Sequence, residues 1–316
     1  MAKKSALNLL ISKTCVALVN GMAGWKQSSR TRLANFLASV TWYVLARRRK
    51  IALTNLRLCF PEWSEQKRAD TAKGVFRNLI RAALDHSVLA KGSEAQVLEM
   101  VKFEGKEQFE DLCKTDKVII VAPHFVGLDA GGIAMNTFVR GASLYQTQSN
   151  PVWDKWAFDA RKRFSDPVLI PKSNSAMKEV IRALRASLPF YYLPDMDHGA
   201  RNSVFVPFFG VQAATLPMVS KLAKLTGAKV IWGIAETTPE GYTMHLSKPL
   251  ENFPTNDATA DTLRLNQELE QFILSIRINT CGLTAALRLV RKESLRFIKY
   301  LPYFSRGSLL SRNEAC

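Results

Sequence analysis

The chain has 316 residues, 47% of them apolar and 22% charged, which excludes a disordered or collagen-like chain. Five cysteines (Cys15, Cys59, Cys113, Cys281, Cys316) are scattered, odd in number and form no C-x-x-C pair. This excludes a disulfide scaffold and a zinc ribbon and fits a reducing compartment. The net charge is +17, and it is concentrated at the ends. Eleven basic residues precede the first acidic one, Glu62; from Arg277 onward there are 8 basic and 2 acidic residues, which leaves 25 of each in the middle. Basic ends on a neutral body point to an anionic partner at the ends.

In the first 61 residues the basic charges are interleaved with apolar runs, Ala6–Ile11, Cys15–Trp25 and Leu33–Ala46. The last run is bracketed by Arg30/Arg32 and Arg47–Lys50 but is short of the roughly 20 apolar residues of a spanning helix. With its aromatics and flanking cations it fits a membrane anchor, interfacial or single-span, with the basic cluster on the cytoplasmic side; an ordinary buried helix with solvated charges is the plainer alternative. Nucleic acid is not expected as the partner, because no zinc-finger, RRM or KH signature is present. No A-x-A site marks a cleaved leader.

Beyond this region, Ser64 is placed to cap a helix over 64–90, with Val75, Phe76, Leu79, Ile80, Ala83 and Leu84 at helical spacing. Val118–Ala122 is a continuous apolar run, as in a strand buried on both faces. The predicted order then continues: helix 128–140, strand 142–147, helix 151–165, strand 168–170, helix 175–187, strand 190–193, helix 215–226, strands 229–235 and 242–246, helix 258–276. This alternation predicts an α/β fold, a mixed but mainly parallel sheet flanked by helices, preceded by N-terminal apolar/basic membrane-associating helices. The expected organisation is a membrane-anchoring region over 1–61, an α/β domain over 62–276 and an atypical basic tail over 277–316.

In such sheets, sites form past the carboxyl ends of strands. Two polar clusters stand there: Pro123–Asp129 after the 118–122 strand, and Pro194–Arg201 after the 190–193 strand. His124 and Asp129 have the spacing of a base and an orienting carboxylate if a helix starts near Gly127; the imidazole could then take a proton from an attacking hydroxyl. A capping Asp beside a packed histidine is the plainer alternative. His86, His198 and His245 read as packed or solvent-facing. No metal is expected, because no His/Cys/Asp set has metal-ligand spacing.

The surroundings of His124 are more specific. The stretch Ile120–Gly132 resembles the H-x4-D/E acyltransferases that move fatty acyl chains onto lipid hydroxyls. Within that superfamily the chain resembles the secondary acyltransferases of lipid A biosynthesis, the lauroyl/myristoyl type. Four blocks carry this in order: Arg48–Glu62 with N-L-x-x-C-F-P-E character; Asn150-Pro151 followed by Arg161 and Arg163; Tyr192–Gly199 with D-x-D-x-G; and Val204–Gly210 with Ala214–Pro217. The resemblance covers roughly residues 45–275.

The resemblance implies His124 as general base and Asp129 as its orienting partner. Arg161 or Arg163 would bind a phosphate or the developing oxyanion, and Asp195 and Asp197 would order the arginine site or hold substrate. It implies acyl transfer with no cofactor and no covalent enzyme intermediate. The donor would be an acyl thioester on acyl carrier protein, and the acceptor a hydroxyl of an acyl chain on an anionic, Kdo-bearing lipid A precursor. The location would be the inner membrane, with the site on the cytoplasmic side. Two rivals are a membrane-binding scaffold in which His124 and Asp129 are structural, and an acyltransferase of glycerol phosphate or lysophospholipid. Against the second stands the Asp195–Gly199 block, where glycerolipid enzymes would carry F-P-E-G.

The tail departs from the family. Where a P-x-Q-Y-L-W-x-H-R-R-F-K stretch is expected, the chain reads Arg277-Ile278-Asn279-Thr280-Cys281-Gly282-Leu283. Permitted codons for Ile276–Ile298, read one frame over, spell Pro-Asp-Gln-Tyr-Leu-Trp-Ala-His-Arg-Arg-Phe-Lys and onward. The tail reads either as a frameshifted end, expected to pack poorly around Phe297, Ile298 and Leu301 and to impair activity, or as a divergent natural C-terminal helix that sets its 8 basic residues on the membrane.

Overall fold

The computed structural model describes residues 2–195 and 203–275. The expectations for Asp197 and for the 277–316 tail fall outside these residues. Eleven helices and nine strands follow in the order α1 (Ala2–Asn20), α2 (Gln27–Val44), α3 (Ala46–Cys59), α4 (Glu65–Lys91), α5 (Glu94–Met100), β1 (Val101–Glu104), α6 (Lys106–Thr115), β2 (Val118–Val121), α7 (Leu128–Met135), β3 (Ala142–Tyr145), α8 (Pro151–Arg161), β4 (Val168–Pro171), α9 (Ala176–Arg185), β5 (Phe190–Tyr192), β6 (Val204–Phe208), β7 (Val211–Thr215), α10 (Met218–Thr226), β8 (Lys229–Thr237), β9 (Tyr242–Leu246) and α11 (Ala258–Ser275).

Seven strands form one sheet in the order β1-β9-β8-β2-β5-β3-β4. Every neighbouring pair is parallel except β8 and β9. The expected mixed, mainly parallel sheet is therefore observed. β2 lies at its centre and is buried throughout. Its alternate side chains feed two cores, as a period of two requires. Ile119 and Val121 join Val180, Leu184, Val219 and Leu222 of α9 and α10 on one face, while Val118 and Ile120 join Ile133 and Met135 of α7 on the other.

The N-terminal helices are built into this body. Leu56 and Cys59 of α3 belong to the first core, and α1 and α2 pack on α4. α4 begins where Ser64 accepts from the Lys67 amide at 3.2 Å, and α5 opens on a capping box between Ser93 and Gln96. Arg68 donates to the carbonyls of Phe60 and Pro61 and so fixes the turn between α3 and α4. Among the described residues no helix is long and apolar enough to cross a membrane.

Some boundaries differ from the pattern reading. α7 ends at Met135 and not near 140; the Thr137 hydroxyl bonds the Ala134 carbonyl at 2.8 Å, a local alternative to continuing the helix. The helix expected from Thr215 starts at Met218, because 204–215 is a hairpin, β6–β7, forming its own two-stranded sheet. Its turn residues Phe209 and Gly210 have φ of 47° and 73°, the left-handed pair that a two-residue hairpin turn demands.

Candidate active site

β2 and β5 are parallel neighbours, with Val121 opposite Tyr192, and the Ala122 amide continues the ladder to the Tyr192 carbonyl at 2.8 Å. Three residues further along each chain lie His124 and Asp195. Equal extension from a common register brings them face to face past the carboxyl ends of the strands. The His124 amide donates to Asp195 Oδ2 at 2.9 Å, and His124 Nδ1 lies 2.6 Å from Oδ1. The two residues are 6% and 3% exposed. With the carboxylate ionised, the ring proton resides on Nδ1, which leaves Nε2 as the basic nitrogen of the imidazole.

The carboxylate on this ring is thus Asp195, whereas the sequence motif suggested Asp129. Asp129 stands in the first turn of α7 and faces α8. Its Oδ1 accepts from Arg161 Nε at 3.0 Å and from Nη2 at 2.7 Å. Arg161, the last residue of α8, also lies over the Tyr145 ring, 5.6 Å from its centroid. Burial raises the Asp129 carboxyl, but Arg161 foremost, then His86 and His124, more than offset this, and its pKa lies below the ordinary carboxylate value. These couplings put His124, Asp129, Arg161 and His86 in one electrostatic neighbourhood. α7 reaches its place because Gly127 lets the backbone press on β8 and β9: a Cβ there would stand 2.7 Å from the Tyr242 ring and 2.9 Å from the Ala235 carbonyl.

The sequence predicts His86 to be packed or solvent-facing. It is packed: 2% exposed, against Trp156 at 4.3 Å between centroids, with Nε2 lacking a hydrogen-bond partner. Burial pushes its pKa down to about 4, with Asp129 opposing and Arg161 adding to the shift. Arg163 belongs elsewhere. Its guanidinium donates to the carbonyls of Leu89 (2.5 Å), Val88 (3.3 Å) and Gly92 at the end of α4, which is a cation on a helix C-terminus. His245 bridges Glu104 and Glu236, away from this cluster on β1 and β8. Among the described residues no group of three or more His, Cys, Asp or Glu side chains could hold a metal ion.

Sequence comparison adds a family context. The family described as bacterial lipid A biosynthesis acyltransferase matches residues 3–276. The lipid A biosynthesis myristoyltransferase of Escherichia coli (strain K12) is 31% identical over 229 residues, 71% of this chain and 70% of that one. A lipid A biosynthesis acyltransferase of Haemophilus influenzae is 32% identical over 250 residues, 77% of each chain. The lipid A biosynthesis lauroyltransferase of Escherichia coli (strain K12) is 29% identical over 247 residues, 77% of this chain and 80% of that one.

Proposed function

Since the chain belongs to the bacterial lipid A biosynthesis acyltransferase family and is an O-acyltransferase of that process, we propose that it moves an acyl group from acyl carrier protein to a hydroxyl on an acyl chain of a Kdo-bearing lipid A precursor, with His124 as the base. The observation that carries the mechanism is the bond between His124 Nδ1 and Asp195 at 2.6 Å. It holds the imidazole in the tautomer whose Nε2 takes the proton of the acceptor hydroxyl. The hydroxyl oxygen then attacks the thioester carbonyl carbon. Collapse of the tetrahedral intermediate breaks the C–S bond, and the imidazolium returns its proton to the departing thiolate. The Asp195 carboxylate stabilises the imidazolium between these steps. Arg161, held on Asp129 through Nε and Nη2, supplies positive charge for the oxyanion or for a phosphate of the acceptor. Asp197 is carried as a further substrate-binding residue by the resemblance alone.

An amphiphilic, anionic acceptor calls for a membrane surface. Support comes from exposed apolar residues at helical spacing: Leu7, Ile11 and Leu18 on α1, and Phe36, Val40, Tyr43 and Val44 on α2. Arg47–Lys50 adjoin them at the start of α3. This fits interfacial association at the cytoplasmic face of the inner membrane. The family match stops at 276, where the neighbouring-frame text of the tail begins, and this supports reading 277–316 as frameshifted; sequencing the locus tests it. The function itself is tested by lipid A mass spectrometry in a strain lacking this gene. The wild-type gene should restore one acyl group and the His124→Ala gene should not; restoration by both would refute the reading.

A further inference from the structure

α9 and α10 lie side by side on one face of the sheet and reach the same core through Val180, Leu184, Val219 and Leu222. Their outward sides are basic. Lys178, Arg182 and Arg185 recur at i, i+4 and i+7 along α9, Lys172 precedes it, and Lys221 and Lys224 stand on α10; all six are exposed. Glu179 is the single acidic residue in 167–189, and 211–229 has none. The side chains of Lys172, Lys178, Arg182, Arg185 and Lys221 make no hydrogen bond or ion pair among the described residues. Lys224 donates to Asn256 Oδ1 at 3.0 Å.

Helix electrostatics explain part of this stripe, because Arg182 and Arg185 suit the last turn of α9. They do not explain Lys178 in the first turn of α9 or Lys221 near the start of α10, where the helix dipole disfavours a cation. Nor do they explain Lys178 and Arg182 at i, i+4, a spacing at which like charges repel.

The register of the sheet places the stripe. Ile120, Tyr191, Ser143 and Leu169 share one row across β2, β5, β3 and β4. His124 and Asp195 lie four residues beyond that row, and Lys172 lies three beyond it. β4 is two strands from β5, about 10 Å at the ordinary strand spacing. α9 starts on this edge, just after β4, and α10 also starts here, since it turns at Gly227 into β8, a parallel neighbour of β2. The basic face therefore begins at the sheet edge that holds the His124–Asp195 pair and runs down from it.

Building on the acyl-transfer reading, we infer that the α9–α10 face docks the carrier protein of the donor, through an acidic surface of that carrier. A protein-borne thioester must deliver its carbonyl to His124 while the carrier stays outside, so its docking face has to adjoin the site. A carrier that leaves after each turnover is suited by exposed charges, which speed encounter more than they prolong it. A membrane surface would call for exposed large apolar residues as well. Leu225 is the one such residue on α9 and α10 among the described residues, whereas α1 and α2 carry many. Donor and lipid acceptor thus have separate surfaces on the protein.

The test uses the purified full chain with myristoyl donors on acyl carrier protein and on pantetheine, which lacks the protein. The double variant Lys178→Glu/Arg182→Glu is expected to raise KM for the carrier-borne donor by about tenfold or more, to retain kcat, and to leave the rate with myristoyl-pantetheine unchanged. Fluorescence anisotropy of labelled acyl carrier protein gives a readout independent of turnover. Binding to the wild type should weaken as salt rises, and the variant should bind more weakly by a factor like that in KM. A folded variant with wild-type KM and wild-type carrier binding would overturn the inference, as would equal losses with both donors. Intact carrier binding beside weakened sedimentation with phosphatidylglycerol vesicles would assign the face to the membrane and overturn it too. Carrier binding that the variant loses, beside no acyl transfer from any donor in the wild type, would instead refute the function proposed above and leave the docking face standing.

Discussion

Asp85 and Asp195 are two buried carboxylates with unlike partners. Asp85 on α4 is fully buried and accepts from Arg30 Nε at 2.8 Å, Arg81 Nε at 3.2 Å, Gln27 Nε2 at 3.1 Å and the Tyr242 hydroxyl at 2.9 Å. It ties α2, α4 and β9 together, and Arg81 extends the tie to the carbonyls of Thr238 and Gly241. Burial foremost, then Asp85, holds the Tyr242 phenol well above its usual range, so this hydroxyl keeps its proton near neutrality. Asp195 is almost as buried, yet the group it holds is an imidazole, the side chain whose ordinary pKa lies nearest neutrality. Carboxylates of equal burial therefore do different work according to their donors. Arginines and a tyrosine make a fixed clamp, and a histidine, in the mechanism proposed above, makes a proton carrier.

This contrast predicts that variants at the site lose rate and keep stability, while variants at the clamp lose stability first. The largest effect is expected for His124→Ala, a fall in acyl-transfer rate of about a thousandfold or more in protein that remains folded; near-wild-type turnover would break the contrast. Asp85→Ala leaves two buried guanidiniums without their carboxylate and is expected to lower the unfolding free energy by about 3–5 kcal/mol in urea titration. The loss of activity should then track the unfolded fraction, and a stable but inactive Asp85→Ala protein would move that cluster into the chemistry.

His86 lies between the two regions and sharpens the comparison through pH. Its folded pKa of about 4 is below the ordinary 6.5, so the unfolded chain binds the extra proton. Its contribution to stability is present above pH 6.5 and is lost as pH falls from there toward about 4, by up to about 3 kcal/mol. Denaturation midpoints of His86→Gln should show a flatter acid limb across that window; an unchanged limb would contradict the burial. The smallest effect is expected for Ser64→Ala, which removes the α4 cap at a cost of about 1 kcal/mol and leaves the catalytic rate of the folded protein alone.

Much of the fold was legible because its signals are local. Val118–Val121 announced a two-sided strand by unbroken apolarity, and Ser64 announced a helix start by its cap. The β6–β7 hairpin was less visible, since Pro207 disguises a strand and the turn is carried by Phe209 with only Gly210 as a cue. At the site, the place of His124 just past a buried strand was legible. Its partner was not, because spacing within one segment favours Asp129, whereas the contact to Asp195 depends on two strands 71 residues apart being parallel neighbours in a fixed register. The one available signal was that both clusters follow buried strands at the same offset. The roles of Arg161 and Arg163 likewise separate only in space. They are two residues apart on and just beyond α8, yet one meets Asp129 and the other the end of α4.

The central claim is that Asp195, and not Asp129, orients the histidine that removes the acceptor's proton. The most direct measurement compares kcat for acyl transfer in Asp195→Asn and Asp129→Asn against wild type over a range of pH. An amide in place of Asp195 cannot stabilise the imidazolium, so kcat should fall by about a thousandfold and the pH profile of the rate should change shape. Asp129→Asn should act through Arg161, with a smaller fall and the wild-type profile retained. A near-wild-type Asp195→Asn enzyme beside a severely impaired Asp129→Asn enzyme with an altered profile would contradict the account.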